Sequence, residues 1–147
     1  MTRMHMIAYH LAMLLTVLLQ GGVTDQLKLT NAFVTPGTEA RIPIVLTTSH
    51  PTVSAISWRV SISGQLPFHV VPLAKGKTVR CVMTRCILYG GQTPLGNGTI
   101  ATLIVDIPDV QTLPIHIAVD SVLGATSEGD EVTIQGGPTE FDRQPGH

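Results

Sequence analysis

A chain of 147 residues has the length of a single compact domain. Hydrophobic residues make up 44% of it and charged residues 13%, so it can bury a core and lacks the composition of a disordered protein. The formal net charge is -1 and the Lys and Arg residues form no cluster. This argues against nucleic acid as a partner, because phosphate binding needs several basic side chains on one surface.

Residues 1–22 differ from the rest of the chain. Arg3 precedes a continuous apolar run, Leu11–Leu19, which Gln20 and two glycines follow. Such a run is too short to span a bilayer, which takes about 20 residues, but it suits the apolar part of a signal peptide. We therefore predict a signal peptide over residues 1–22, a mature chain without a membrane span, and an extracellular location, either secreted or at the cell surface. An uncleaved anchor and a misassigned start codon are the alternatives.

From Asp25 onward apolar residues recur with a period of two, interrupted by turn signals about every ten residues, as in β-sandwiches. The first strand is predicted around Leu27 and Leu29, and the second over Ala40–Leu46. Pro43 lies within the second strand and cannot donate a hydrogen bond to a neighbour. This strand is therefore predicted to lie at a sheet edge or to carry a bulge.

The third predicted strand has the cleanest alternation. Its inward side chains are Ile56, Trp58, Val60 and Ile62, and its outward ones are Ser57, Arg59, Ser61 and Ser63. A slip of one residue would expose the whole apolar set, so the register is well specified and Trp58 is predicted to lie in the core.

Further strands are predicted at Lys77–Val82, Arg85–Tyr89, Thr99–Ile107, Leu113–Leu123 and Glu131–Gln135. Val70 and Val71 form a short strand in one interpretation and a loop in the other. Residues 138–147, rich in Gly, Pro and polar side chains, are predicted to form a flexible tail that includes Phe141. No helix of convincing length is predicted.

Cys81 and Cys86 are the only cysteines, and the predicted signal peptide places them in an oxidising compartment. Four residues separate them, so they can lie opposite one another across a hairpin whose loop is residues 82–85. We predict a structural disulfide. Redox chemistry usually uses two intervening residues at a helix start, and zinc would need two further ligands nearby.

Three segments resemble cohesin domains. They are LTNAFVTPGTEARIPIVL at Leu29–Leu46, LGNGTIATL at Leu95–Leu103, and the Val119–Ile134 segment with Gly129-Asp130 before a closing strand. The resemblance implies an all-β, jelly-roll β-sandwich of about nine strands, immunoglobulin-like in appearance, over residues 23–137. It also implies a partner of the dockerin type and a place in complexes that degrade polysaccharides. Ser63–Pro67 departs from the Tyr-Asp-Pro-like step of the family, so no dockerin-contact residue is carried over.

A protein-binding face is predicted from strand alternation. The outward residues of three predicted strands are Ser57, Arg59, Ser61, Thr78, Arg80, Ile87 and Tyr89. Tyr and Arg are enriched at the centres of protein interfaces. The alternative is that the arginines are simply solvated and Tyr89 covers a sheet edge.

Other functions receive less support from the sequence. Direct polysaccharide binding usually needs a row of exposed aromatics, which this chain lacks, although a polar groove stays open as an alternative. His50, His69, His116 and His147 are scattered and no catalytic motif surrounds them, so we expect no enzyme activity and no cofactor. We also expect no metal ion: Glu128–Glu131 is predicted to be a solvated turn, with weak calcium binding as the alternative. Asn97-Gly98-Thr99 matches a glycosylation sequon. A structural role in an envelope or adhesive layer is a third possibility.

Overall fold

The computed structural model describes residues 24–145; the predicted signal peptide lies outside them. These residues form ten strands and one short 3₁₀ turn, Ser63–Gln65. The strands are β1 Gln26–Leu29, β2 Glu39–Thr47, β3 Val53–Ile62, β4 Phe68–Pro72, β5 Thr78–Val82, β6 Arg85–Tyr89, β7 Gly98–Asp106, β8 Ile115–Thr126, β9 Glu131–Thr133 and β10 Gly137–Phe141. The all-β prediction is confirmed, with ten strands where about nine were expected. No helix in this part of the chain could cross a membrane.

Two antiparallel sheets pack face to face. The four-stranded sheet has the order β1-β2-β7-β4, and the six-stranded sheet has the order β10-β8-β3-β6-β5 with β9 also paired to β8. Alternate residues of each strand point inward, because successive side chains of a strand lie on opposite faces. The largest fully buried side chains are Trp58, Phe141, Leu27, Leu29, Ile42, Ile44, Leu46, Ile56, Leu88, Ile100, Leu103 and Ile115.

Pro43 is accommodated inside the four-stranded sheet. β2 lies between β1 and β7, so the edge position expected for it is wrong, and the alternative, a bulge, is found between Ile44 and Val45. The Pro43 carbonyl accepts a hydrogen bond from the Thr30 N–H at 3.0 Å, just beyond the end of β1. Since N–H and C=O of one residue point to the same side of a strand, the missing Pro43 donor faces the place where β1 has already ended.

Val70 and Val71 belong to β4, which pairs with β7 from Phe68↔Val105 to Pro72↔Ala101. The strand interpretation of this segment is therefore correct. The N–H groups of Leu73 and Ala74 both donate to the Ile100 carbonyl at 3.0 Å, so the chain stays attached to β7 beyond the last pair.

The prediction of a flexible tail from residue 138 is wrong for residues 138–141. Gly137–Phe141 pair with β8 as an edge strand, and the Phe141 side chain is fully buried. Gly136 makes the approach possible, because a Cβ at this position would collide with the Val119 carbonyl. The Gly and Pro residues that indicated a tail thus permit a close turn, and burial of one aromatic side chain holds the strand.

The hairpin predicted for the cysteines is confirmed, but its loop is shorter than the predicted residues 82–85, because Val82 and Arg85 pair with each other and leave a two-residue turn. Cys81 lies directly opposite Cys86 in the β5–β6 register and is joined to it by a disulfide, with a Cα–Cα distance of 4.0 Å. Met83, the first of the two turn residues, has a φ of 55°, and two-residue hairpin turns of the favoured types require a positive φ at this position. The Thr84 carbonyl accepts a hydrogen bond from the Val60 N–H at 2.8 Å, so the tip is also attached to β3.

Candidate functional site

The seven residues predicted as a binding face lie together on the outer side of the six-stranded sheet. Arg80 pairs with Ile87, and Ile87 pairs with Ser57, so three neighbouring strands contribute to one row. Thr78 pairs with Tyr89 in the next row. We call the outward residues of β5, β6, β3 and β8 the outer face of the six-stranded sheet.

Among the large apolar and charged residues of this face, four were absent from the prediction. Val82 and Arg85 continue the alternation of β5 and β6, so the period of two could have identified them. Leu123 and Asp120 come from β8, where they pair with Ser57 and Arg59. Nothing local in the sequence indicates that β8 neighbours β3, so no pattern could have placed these two residues on the face.

Exposed apolar side chains are concentrated here. The exposed fractions are 38% for Tyr89, 40% for Leu123, 42% for Ile87, 65% for Val82 and 90% for Met83 at the hairpin tip. These are five of the nine large apolar residues that are exposed in the described part of the chain, and they lie on one face and its rim. Clustered exposure of this kind marks interaction surfaces, whereas single exposed apolar residues are ordinary.

The charges on the face are mostly positive. Arg59 Nε donates to Asp120 Oδ1 at 2.8 Å, which neutralises one arginine. Arg85 reaches across β3, where its Nη2 donates to Ser57 Oγ and to the Ser121 carbonyl, both at 3.3 Å. Within residues 24–145, neither Arg80 nor Arg85 has a carboxylate at ion-pair distance.

Lys77 holds the start of β5 in position in the six-stranded sheet. Its side chain is buried, and its Nζ donates to the Ser54 carbonyl at 2.8 Å and to the Gly90 carbonyl at 2.7 Å. Burial lowers the pKa of this ammonium group from its ordinary value. Because Ser54 belongs to β3 and Gly90 directly follows β6, Lys77 joins the start of β5 to its neighbour β6 and to β3, the strand beyond it.

A groove of about 630 Å³ opens at the rim of the face, between β3, β4 and the hairpin tip. It is lined by Val60, Ser61, Ile62, Gln65, Leu66, Pro67, Phe68, Met83 and Thr84. Most of these side chains are apolar, so the groove suits an apolar group better than a sugar, whose hydroxyls need hydrogen-bond partners.

An aromatic platform for sugar stacking is not formed by Trp58. Its side chain is fully buried, as predicted, and its Nε1 has no hydrogen-bond partner among the described residues. Phe33 is 61% exposed but lies in the segment that joins β1 to β2, two strands of the other, four-stranded sheet. The described residues therefore present no row of aromatic rings.

Ser49, His50 and Asp25 come together without the geometry of a catalytic triad. Asp25 Oδ2 lies 2.9 Å from His50 Nδ1, and Asp25 Oδ1 accepts hydrogen bonds from Ser49 N at 2.7 Å and from Ser49 Oγ at 3.2 Å. Ser49 Oγ approaches the same ring nitrogen, at 3.5 Å. A general base must use its second nitrogen for the nucleophile, so this cluster attaches the chain before β1 to the loop after β2.

The other polar candidates stay separate. His69 lies on β4 and His116 on β8, in different sheets, and His147 is outside the described residues. Residues 24–145 hold no group of three or more His, Cys, Asp or Glu side chains that could bind a metal ion. Asn97 is exposed, and its Oδ1 accepts a hydrogen bond from the Thr48 N–H at 2.8 Å.

No family model matches this chain, and none of the curated proteins matches its sequence. Solved structures do match. A cohesin module from a family 33 glycoside hydrolase of Clostridium perfringens aligns with a TM-score of 0.69 at 8% identity, over 82% of this chain and 97% of that one.

Two further cohesins align with a TM-score of 0.62. One, from Clostridium thermocellum, was solved in complex with a dockerin; it is 15% identical over 80% of this chain and 99% of its own. The other is a non-cellulosomal cohesin from the archaeon Archaeoglobus fulgidus, 11% identical over 80% of this chain and 91% of its own. At these identities the likeness concerns the fold: residues 24–145 have the fold of cohesin modules, as the sequence resemblance predicted.

Proposed function

We propose that this chain is a secreted, non-catalytic binding module of the cohesin type, and that it recognises a dockerin-type domain through the outer face of its six-stranded sheet. The observation that carries the proposal is the concentration of exposed Ile87, Tyr89, Leu123 and Val82 on that face. The predicted face residues Ser57, Arg59, Ser61, Thr78 and Arg80 supply its polar contacts. The comparison structures support the type of partner, since several are cohesins in complex with dockerins.

Recognition by this face needs no covalent chemistry. The strands form a firm surface, because the disulfide and the Thr84–Val60 hydrogen bond hold the hairpin that carries Ile87 and Tyr89. A partner gains affinity by covering the central apolar side chains, while the surrounding polar residues exclude water and set its orientation. Preorganisation of the hairpin lowers the entropy lost on binding.

Export is part of the proposal. The only two cysteines form a disulfide, a bond that persists in oxidising compartments. We propose that residues 1–22 direct secretion, that the module runs from about residue 23 to Phe141 with a short tail after it, and that it works in polysaccharide breakdown or in assembly at the cell surface.

The test is binding of the exported protein to a panel of dockerin domains, measured by calorimetry. At least one dockerin of the panel should bind. Ile87→Glu should lower its affinity by about 30-fold or more, as is usual for a residue at the centre of an interface. Val71→Glu is the matched control, since Val71 is similarly exposed, 39% against 42%, but lies on the four-stranded sheet. Its affinity should equal that of the wild type.

Two other results would replace the proposal. Retention on a polysaccharide array without binding to any dockerin would make the chain a carbohydrate-binding module. Self-association in sedimentation experiments, with neither ligand bound, would favour a structural or adhesive role. Equal losses from Ile87→Glu and Val71→Glu would place binding away from the outer face of the six-stranded sheet.

A further inference from the structure

The outer face of the six-stranded sheet is electrically asymmetric. Arg80 and Arg85, on β5 and β6, have no carboxylate partner among the described residues. Arg59, on the central strand β3, forms its ion pair with Asp120 of β8. On the far side, Glu131 of β9 pairs in register with Ala125 of β8 and is exposed. One half of the face is therefore positive and the other is neutral to negative, although the whole chain has a formal charge of only -1.

Most of the exposed apolar side chains lie within the positive half; Leu123, on β8, is the exception. Ile87 stands between Arg80 and Ser57 in one row, while Arg85 occupies the adjacent row of the same strand as Ile87. Val82 pairs with Arg85 and is 65% exposed. A partner that covered Ile87 and Val82 would thus bring its own flanking side chains against two arginines whose charge nothing in residues 24–145 neutralises.

We infer that the partner presents an acidic, apolar-centred surface, with carboxylates opposite Arg80 and Arg85 and aliphatic or aromatic side chains opposite Ile87 and Tyr89. The inference rests on the proposed function and specifies the dockerin class it requires. Burying an arginine against an apolar or basic surface would leave its charge without compensation, whereas a carboxylate gives a charge-assisted hydrogen bond.

The same asymmetry orients the partner. Its acidic end lies over β5 and β6, where the unpaired arginines are, because Glu131 would repel carboxylates placed over β8 and β9 and Asp120 is already paired with Arg59. An acidic polysaccharide satisfies the arginines less well, since the side chains between them are aliphatic and offer sugar hydroxyls no hydrogen bonds. Only a protein surface supplies carboxylates and apolar groups alternately at strand or helix spacing.

The experiment uses a dockerin that binds in the panel, together with two variants of it whose exposed contact residues are changed to Glu or to Lys. The Glu variant should bind more tightly than the Lys variant, and the difference should shrink as NaCl rises from low to high concentration. Arg80→Glu and Arg85→Glu should each lower the affinity for the unmodified dockerin by about tenfold or more. Lys28→Glu, on β1 of the four-stranded sheet, is the matched charge control and should leave the affinity unchanged.

A reversal experiment completes the test. Arg80→Glu should bind the Lys variant of the dockerin more tightly than the wild-type protein does, which a merely misfolded face could not achieve. A dockerin that binds but prefers its Lys variant overturns this inference and leaves the proposed function intact. A panel with no binding dockerin overturns both. Binding of polygalacturonate that Arg80→Glu abolishes would assign the arginines to an anionic glycan and overturn the protein partner.

Discussion

The two long edges of the sandwich are closed in different ways. At the edge formed by β1, β9 and β10, backbone hydrogen bonds join the sheets: the Leu27 N–H donates to the Gln135 carbonyl at 2.8 Å, and the Gln135 N–H donates to the Asp25 carbonyl at 2.9 Å. Further along the same edge Phe141 is fully buried, and next to it the Val34 N–H donates to the Asp142 carbonyl at 3.0 Å. At the opposite edge, no such bond joins β4 to β5 within residues 24–145, and the groove beside Met83 opens between the end of β3, the start of β4 and the hairpin tip.

The difference shows what a short edge hairpin needs. β5 and β6 have five residues each, and the inward side chains of β5, Val79 and Cys81, are only half-buried. β5 therefore gains less from burial than β6, whose Cys86 and Leu88 are buried, and the disulfide and the buried Lys77 replace part of the packing that β5 lacks. The edge that carries the candidate binding hairpin thus keeps an open, apolar rim, while the edge near the chain ends is sealed.

The largest expected effect is on the sealed edge. Phe141→Ala removes the fully buried aromatic side chain of β10 and should lower the free energy of unfolding by about 3 to 5 kcal/mol, because it leaves a cavity in the core. Urea unfolding followed by Trp58 fluorescence measures it. Phe33→Ala, at a 61% exposed position, is the control and should stay within about 0.5 kcal/mol of wild type. Equal effects of the two substitutions would show that β10 does not seal the edge.

A smaller effect is expected at the open edge. The double variant Cys81→Ala, Cys86→Ala should lower the free energy of unfolding by about 2 kcal/mol, since the disulfide closes a short loop. Hydrogen exchange should accelerate in β5 and β6 while β10 keeps its protection. Uniform acceleration across all strands would contradict a local role for the disulfide.

The smallest effect concerns the Asp25 cluster at the sealed edge. Burial raises the pKa of Asp25, but hydrogen bonds from Ser49 and His50 outweigh it and hold the pKa below the ordinary 3.8. The carboxylate therefore contributes stability above about pH 4, and this contribution is lost as the pH falls through the folded-state pKa. Asp25→Asn should remove about 1 kcal/mol at neutral pH and flatten the dependence at acidic pH.

Unfolding of wild type and Asp25→Asn between pH 2 and 7 checks the sign. His50→Gln should keep part of the acidic slope, because both hydrogen bonds from Ser49 remain. Parallel curves for wild type and Asp25→Asn would show that the cluster does not stabilise the folded chain through its charge.

Strand alternation was predictable because it is local. The inward series around Trp58 and the hairpin that pairs Cys81 with Cys86 follow from a period of two and a four-residue separation. For Pro43, one of the two predicted alternatives was correct. A bulge depends on residues within the strand, whereas the place of β2 between β1 and β7 depends on strands distant in the sequence. Phe141 was assigned to the tail because the residues around it are Gly, Pro and polar ones, which are typical of a tail. They form a strand because they pair with β8, which is distant in the sequence.

The sequence by itself therefore determined the all-β class, the register of β3 and the disulfide hairpin, since each depends on residues close together in the chain. The tertiary structure alone decided that β8 lies beside β3, that Leu123 and Asp120 join the candidate face, and that Gly137–Phe141 seal one edge. The physical reason is that pairing between distant strands depends on which apolar faces can be buried together, a property of the whole sandwich that no single segment encodes.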